Sequence, residues 1–452
     1  MSKSGRPNFI FIMADDLGYA DLSCYGRRDY ETVNLDRLAA DGVRFTQSYA
    51  NSATCSATRT ALMTGRYQYR LPIGLEEPLP SPSKRKLGLP PEHPTLPSLL
   101  RDGGYATMLI GKWHLGKLPD YGPHQSGYEE FYGFRGGSLD YFTHKTGNLP
   151  DSEVDFWDNE TPIKETGYLT DLLGQRTVKA IETYAKSDKP FFISLHFSAP
   201  HWPWEGPEDE AESRRIRFLA QYDAGSQKTY SSMVLAMDRQ IGRVMSALKD
   251  NGLAENTIVV FTSDNGGERF ADTWPFTGRK TDLLEGGLRV PCIVSWPFRI
   301  KSRQLSDQVV ITMDWMPTFL SAAGLDPHKD FPPDGINLLP FIVEGAEPVA
   351  RKLFWRFKFH EQRAMRDGDW KYLKIRDNTF LFNVVDDPME RANYKLRRPD
   401  MFEHMTTEYE AWESTMLPID PESFTNGPHA RQLADHFGVE PPAGGVGGPF
   451  GG

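Results

Sequence analysis

Asn8-Phe-Ile-Phe-Ile-Met-Ala-Asp-Asp-Leu-Gly18 is the stretch on which the fold turns. A short run rich in aromatic and β-branched residues stops abruptly at two adjacent carboxylates and a glycine, which reads as a buried strand running into a polar turn. Three more segments have the same form. Ala106–Ile110 leads into Lys112-Trp-His114, Phe191–Phe197 into His201, and Thr257–Thr262 into Asp264-Asn265. Helical patterns lie between them. In Tyr230–Lys249, Met233, Met237, Ile241, Val244, Met245 and Leu248 recur at helical spacing, with Gly252 as the stop. Such alternation predicts an α/β fold, a mainly parallel sheet with helices on both faces. Ligands of open α/β sheets bind beyond the carboxyl ends of the strands, so the four turns are expected to converge.

The chain has 452 residues, 39% hydrophobic and 25% charged, as ordinary globular proteins have. Its length suggests two domains. Residues 1–348 read as the α/β domain. Beyond them the pattern changes to short strands, Leu353–Phe359, Gln362–Arg366, Trp370–Ile375 and Thr379–Asn383, with turn signals at Asp367-Gly368 and Asp377-Asn378. With a helix over Pro399–Trp412, residues 349–436 are expected to form a small α+β subdomain with an antiparallel sheet. The Gly/Pro-rich residues 437–452 are expected to lack regular structure. A formal net charge of −10 argues against general affinity for nucleic acid or anionic membranes. No apolar stretch approaches the length of a membrane span. The N-terminus enters its first strand without a signal-peptide pattern, and three cysteines do not suggest a disulfide framework, so a cytoplasmic chain is expected.

Adjacent carboxylates at Asp15 and Asp16 repel unless a cation or a proton intervenes. Asp264 and Asn265 would complete an all-oxygen set suited to Ca²⁺ or Mg²⁺ rather than Zn²⁺. A plain reading of Asp15-Asp16 as a solvated turn competes until the second pair is taken with it. Cys55-Ser-Ala-Thr-Arg59-Thr-Ala-Leu-Met-Thr-Gly65 reads as a helix with Cys55 in its first turn, Arg59 on the same face and Gly65 as its stop. Taken alone, Cys55 is a small buried hydrophobe, Lys112 and Lys280 are surface lysines, and His196 is a core histidine in an apolar run. His144, with Trp113, Trp202, Trp204 and Trp274, offers rings that could line a pocket for a sugar or aryl group or equally belong to the core.

Cys55-Ser-Ala-Thr-Arg59, followed by Leu62-Met-Thr-Gly-Arg66, resembles the sulfatase signature, whose cysteine is oxidised after synthesis to formylglycine. Ala14-Asp-Asp-Leu-Gly18, Asn34-Leu-Asp-Arg-Leu38, Gly111-Lys-Trp-His-Leu-Gly116, Ala199-Pro-His201, Ser263-Asp-Asn-Gly-Gly267, Gly278-Arg-Lys280 and Glu285-Gly-Gly-Leu-Arg-Val-Pro291 are similar to the family's other blocks, in the same order. Leu381-Phe-Asn-Val-Val-Asp-Asp-Pro388 resembles its C-terminal strand and turn.

The resemblance implies an alkaline-phosphatase-like core and a sulfuric ester hydrolase of the arylsulfatase and N-acetylgalactosamine-6-sulfatase type, acting on a sulfated carbohydrate or aryl sulfate. By the same resemblance Asp15, Asp16, Asp264, Asn265 and converted Cys55 would hold a metal, usually Ca²⁺. Arg59 would stabilise the nucleophile, a hydroxyl of the hydrated aldehyde. Lys112 and Lys280 would neutralise sulfate, His201 would protonate the departing alkoxide, and His114 would take a proton from the remaining hydroxyl. Lys112, His201 and Lys280 would contact substrate, and His144, from its own aromatic surroundings rather than the resemblance, is a further candidate for that contact. The partners implied are a sulfate ester, a formylglycine-generating enzyme and a second copy of the chain. One departure stands out: Ala57 replaces the proline most common two residues after the cysteine, which leaves open which maturation system acts. Two rival readings are a phosphonate or phosphate ester hydrolase of the same superfamily and an inactive anion-binding homologue with an unconverted thiol.

Overall fold

The computed structural model describes residues 5–80, 85–146, 152–216 and 225–427. Asn8–Ala14 forms a strand in which every residue is buried. Burial on both faces follows from its neighbours, because it pairs in parallel with Phe191–His196 on one edge and Thr257–Ser263 on the other. The ten-stranded sheet runs Gln304–Ser306, Val43–Phe45, Cys292–Ser295, Thr257–Ser263, Asn8–Ala14, Phe191–His196, Ala106–Lys112, Glu130–Phe134, Trp157–Asp158 and Thr161–Pro162. Cys292–Ser295 lies antiparallel to both its neighbours, as do Trp157–Asp158 and Thr161–Pro162 at one edge, while Gln304–Ser306 at the other edge pairs in parallel. The expected mainly parallel α/β sheet is therefore present.

The pleat sends alternate residues to opposite faces. Ile10, Ile12 and Ala14 enter one core with the helices Val33–Ala40, Leu169–Tyr184 and Gln227–Asp250. Phe9, Phe11 and Met13 enter the other, under Cys55–Thr64, Leu96–Asp102 and Trp315–Ala323. Burial of each large side chain stabilises by about 1.5–3 kcal/mol, so both faces hold the central strand in place. The helix Gln227–Asp250 starts earlier than its apolar spacing suggests. Ser226 caps it by accepting from the Thr229 N–H at 3.1 Å, and Gly252, at φ +69°, takes the left-handed step expected after it.

Lys352–Phe357, Gln362–Asp367, Trp370–Ile375 and Asn378–Asn383 form an antiparallel four-stranded meander. The helix Pro399–Glu413 packs on it through Met405 and Tyr409. This small sheet shares its core with the body: Leu353, Trp355, Phe357, Met365 and Leu373 pack in one cluster with Tyr49, Ala53, Ala61, Leu283 and Leu288. The stretch 437–452, with 428–436 before it, lies outside the described residues.

A buried ionic link crosses the same junction. Lys371 Nζ lies 2.9 Å from Glu285 Oε1 and 2.9 Å from Glu390 Oε1, with all three side chains shielded from solvent. Glu285 Oε2 accepts from the Tyr49 hydroxyl and from Arg289 Nε, each at 2.7 Å. Burial pushes the Glu390 carboxyl up to about 7 against the pull of Lys371. Burial would raise Glu285 too, but Lys371 and then Arg289 hold it below the usual carboxylate range. Lys371→Ala leaves Glu390 buried without a cation, beside Glu285 with Arg289 alone, and is expected to destabilise the fold by about 3–5 kcal/mol. The urea midpoint checks this, and adding Glu390→Gln should recover part of the loss. An unchanged midpoint in Lys371→Ala would show that the link contributes nothing.

Candidate active site

Register brings the site together. Ala14 is level with Ser263, so Asp15-Asp16 and Asp264-Asn265 leave adjacent strands side by side. Gly111 is level with His196, which sets Lys112 beside the chain that leads to His201. Glycine is required there: its φ is +108°, and a Cβ would stand 1.8 Å from the His196 carbonyl oxygen. Cys55 opens the helix Cys55–Thr64, all of whose residues are buried, and Gly65 ends it at φ +66° as expected. One turn on, Arg59 reaches Asp264 Oδ2 with Nε at 3.1 Å and Nη2 at 2.8 Å. Its Nη1 donates to the Lys112 carbonyl at 3.3 Å and lies 3.2 Å from His196 Nδ1, so His196 buttresses the site from within the core.

The four metal-pair residues are at most 1% exposed. Lys112 Nζ donates to Asp15 Oδ2 at 2.6 Å, and Lys280 Nζ to Asp16 Oδ2 at 2.7 Å. Both lysines, expected to meet sulfate, thus also serve the carboxylates. Burial would raise Asp16, but Lys280 and then His201 hold it at about 2. For Asp15, burial and then Asp264 win, and the carboxyl is pushed well above its usual range despite Lys112. A further cation would allow Asp15 to ionise.

The residues present fit such a cation. Asp15 Oδ1 and Asn265 Oδ1 are buried acceptors with no hydrogen-bond donor among the described residues. Ligand atoms of Asp15, Cys55 and Asp264 lie within 4.8 Å of one another, as do those of Asp15, Asp16 and His201. Asn265 Nδ2 donates to Asp16 Oδ1 at 2.7 Å, which turns its carbonyl oxygen toward the free positions. An oxygen-dominated set of this kind suits a hard divalent ion.

Cys55 carries its encoded thiol, and Sγ marks where an oxygen of formylglycine hydrate would stand. Burial pushes this thiol up, against the pull of Lys112 and Lys280. Protonated at neutral pH, it is a poor nucleophile. His114 Nδ1 lies 3.3 Å from Sγ, and Nε2 lies 2.8 Å from the Leu79 carbonyl oxygen. That carbonyl can only accept, so Nε2 carries the hydrogen and the Nδ1 lone pair faces residue 55. His201 is anchored in the opposite sense. Nδ1 donates to the Trp202 carbonyl at 2.6 Å, leaving Nε2 3.6 Å from Asp16 Oδ2. Burial first, then neighbouring lysines, hold both imidazoles well below the ordinary histidine range.

Not every expected residue joins this cluster. His144 packs its ring on Phe156 at 4.7 Å and its N–H bonds the Asp140 carbonyl, a core position rather than a substrate contact. Trp113 is likewise core, with Nε1 donating to the Tyr121 carbonyl. Trp204 is buried against Phe270, Trp274 is exposed, and Trp202 stacks on His201 at 4.7 Å. Leu79, whose carbonyl sets the His114 tautomer, and Tyr141, whose hydroxyl donates to the His201 carbonyl at 3.0 Å, carry no signal in the sequence. Both act across long separations.

A buried cation seat, a helix start carrying the reactive residue and two lysines are equipped to hold a tetrahedral anion. They place the molecule among the metal-dependent ester hydrolases of the alkaline-phosphatase-like fold. The family models for Sulfatase and for N-sulphoglucosamine sulphohydrolase, C-terminal, match residues 7–325 and 278–413. N-acetylgalactosamine-6-sulfatase of Sus scrofa is 35% identical over 358 residues, which cover 75% of this chain and 66% of that protein. The crystal structure of Ps i-CgsB in complex with k-i-k-neocarrahexaose superposes with a TM-score of 0.83 at 31% identity, covering 95% of this chain and 97% of that one. The phosphonate monoester hydrolase of Agrobacterium radiobacter shares the fold, with a TM-score of 0.63 at 21% identity over 94% of this chain and 100% of that one. The chain belongs to the sulfatase family, the sulfuric ester hydrolases that work with a metal ion and formylglycine.

Chelation should abolish turnover and be reversed by adding back a divalent ion. Asp264→Ala, which also frees Arg59, should lose activity beyond recovery by metal. Full activity in exhaustively metal-free protein would contradict this assignment of the acidic cluster.

Proposed function

We propose that this chain releases sulfate from a sulfated carbohydrate, with formylglycine made from Cys55 and with Ca²⁺ held by Asp15, Asp16, Asp264 and Asn265. The observation that carries the reading is the place of Cys55: at a helix start, 3.3 Å from a histidine lone pair, and grouped with the Asp15 and Asp264 carboxylates. A carbohydrate substrate is supported by the sugar in the name of the pig relative and the hexaose in the Ps i-CgsB complex. The three cysteines stand as free thiols, which suits a reducing compartment.

The ion, when bound, supplies positive charge that favours an ionised hydroxyl on residue 55 and offsets charge on sulfate. Arg59, pinned to Asp264, keeps a fixed guanidinium beside that hydroxyl. Lys112 and Lys280 neutralise sulfate oxygens at a site that excludes water, where preorganised charge is worth most. With its Nδ1 lone pair toward residue 55, His114 is set to take a proton from that residue. His201 turns Nε2 toward the site, and the charge of a bound sulfate ester favours the proton that it must deliver to the leaving oxygen.

Lys112→Ala or Lys280→Ala should each lower kcat/KM by about two orders of magnitude, comparable to removing an oxyanion donor. His201→Ala should cost much more with alkyl and sugar sulfates than with activated aryl sulfates, whose leaving groups need little protonation. Equal losses across leaving groups would remove His201 from the acid role. Cys55→Ala should abolish turnover, and mass spectrometry of active enzyme should find the aldehyde or its hydrate at position 55. Matched sulfate, phosphate and phosphonate esters, with a panel of sulfated saccharides, test the substrate class; faster phosphonate cleavage would favour the rival reading.

A further inference from the structure

Lys280 sits on a loop whose geometry is held from outside the large sheet. Its own N–H donates to the Gly267 carbonyl at 3.0 Å, and the next residue, Thr281, donates to the Ala53 carbonyl at 2.9 Å. Thr281 has φ +76°, a left-handed conformation that a β-branched residue adopts only when its surroundings impose it. The Ala53 carbonyl holds it from the large domain, and a second hold arrives from the small sheet. Gln362, at the start of the strand Gln362–Asp367 and 2% exposed, donates from Nε2 to the Thr281 carbonyl at 2.8 Å and to the Phe359 carbonyl at 3.0 Å. Its Oε1 accepts from the Leu283 N–H at 2.8 Å. Two carbonyls and one N–H leave the amide a single orientation. Gln362 therefore clasps both ends of the turn that follows Lys280, while Glu390 Oε2 accepts from the Glu285 N–H at the next turn.

We infer that Gln362 is a positioning residue for Lys280: through this amide the small C-terminal sheet reaches toward the catalytic site and sets where the ammonium meets the sulfate. The inference rests on the reading that Lys280 binds sulfate. Without the clasp, Thr281 relaxes from its left-handed conformation and the Lys280 backbone swings with it. Small displacements of a charge-stabilising group cost from about tenfold to about a hundredfold in rate. A residue that served only the packing of the small sheet would lower stability and leave the Lys280 contribution intact.

A double-mutant cycle on the metal-loaded, converted enzyme separates these cases. Gln362→Ala in the native background is expected to lower kcat/KM by about ten- to a hundredfold. In a Lys280→Ala background the same change should cost less than about twofold, since the group it positions is gone. Affinity for inorganic sulfate, followed by titration calorimetry, should fall with Gln362→Ala and not fall further once Lys280 is removed. Gln362→Glu and Gln362→Met, close in volume, carry the cycle if the alanine variant does not fold; both lack the paired N–H donors and should follow the alanine pattern. Equal losses from the Gln362 changes in both backgrounds, or native activity in a folded variant, overturn the inference. An undiminished Lys280→Ala enzyme would instead overturn the assignment of Lys280 to sulfate.

Discussion

Asp15, Asp16 and Asp264 lie at the ends of adjacent strands, sealed from solvent, and the site is arranged around the cost of burying three carboxylates together. Lys112, Lys280 and Arg59 answer the acidic cluster within the chain, yet Asp15 remains well above its usual range, and one carboxylate oxygen and one amide oxygen lack a donor among the described residues. A metal ion of the kind the family uses would resolve that imbalance. The same positive surplus, once the ion is present, is what an acidic protein with a net charge of −10 needs in order to hold an anion.

Rigid supports place the reacting groups with little freedom. The helix Cys55–Thr64 is buried along its whole length, so its first residue is held by packing, and its N-terminal dipole favours negative charge at residue 55. His114 and His201 each have one ring nitrogen tied to a backbone carbonyl, which directs the other toward Cys55 and Asp16 respectively. A carbonyl anchor fixes the tautomer while adding no charge that would compete with the ion or the substrate.

The small sheet is part of this frame. Its apolar face completes a core that also holds Ala53 and Ala61, on either side of Cys55, and its buried lysine ties Glu285 to Glu390. The loop carrying Lys280 is therefore bounded by the large sheet on one side and by the meander on the other. Separate folding of the two parts would leave this loop without one of its walls.

Much of this was legible in the residues alone. The strands, the long helix and the helix opened by Cys55 follow from local periodicity and glycine stops, because burial on a repeating face leaves its mark in consecutive residues. The metal pairs, Lys112, His114 and His201 were legible because parallel strands end together, so polar residues just past each strand must meet. His144 and Trp113 looked equally suited to a pocket and turned out to be core, since ring type says nothing about which way a side chain points. Leu79, Tyr141 and Gln362 could not be read at all. Their contribution is a backbone carbonyl, a hydroxyl or an amide meeting a distant segment, and such a contact exists only once the chain has folded and brought the two together. Residue types and spacing determined the chemistry available at the strand ends. Which hydrogen bonds hold that chemistry in place was decided by tertiary structure, because unsatisfied buried groups select their partners by proximity and not by position in the chain.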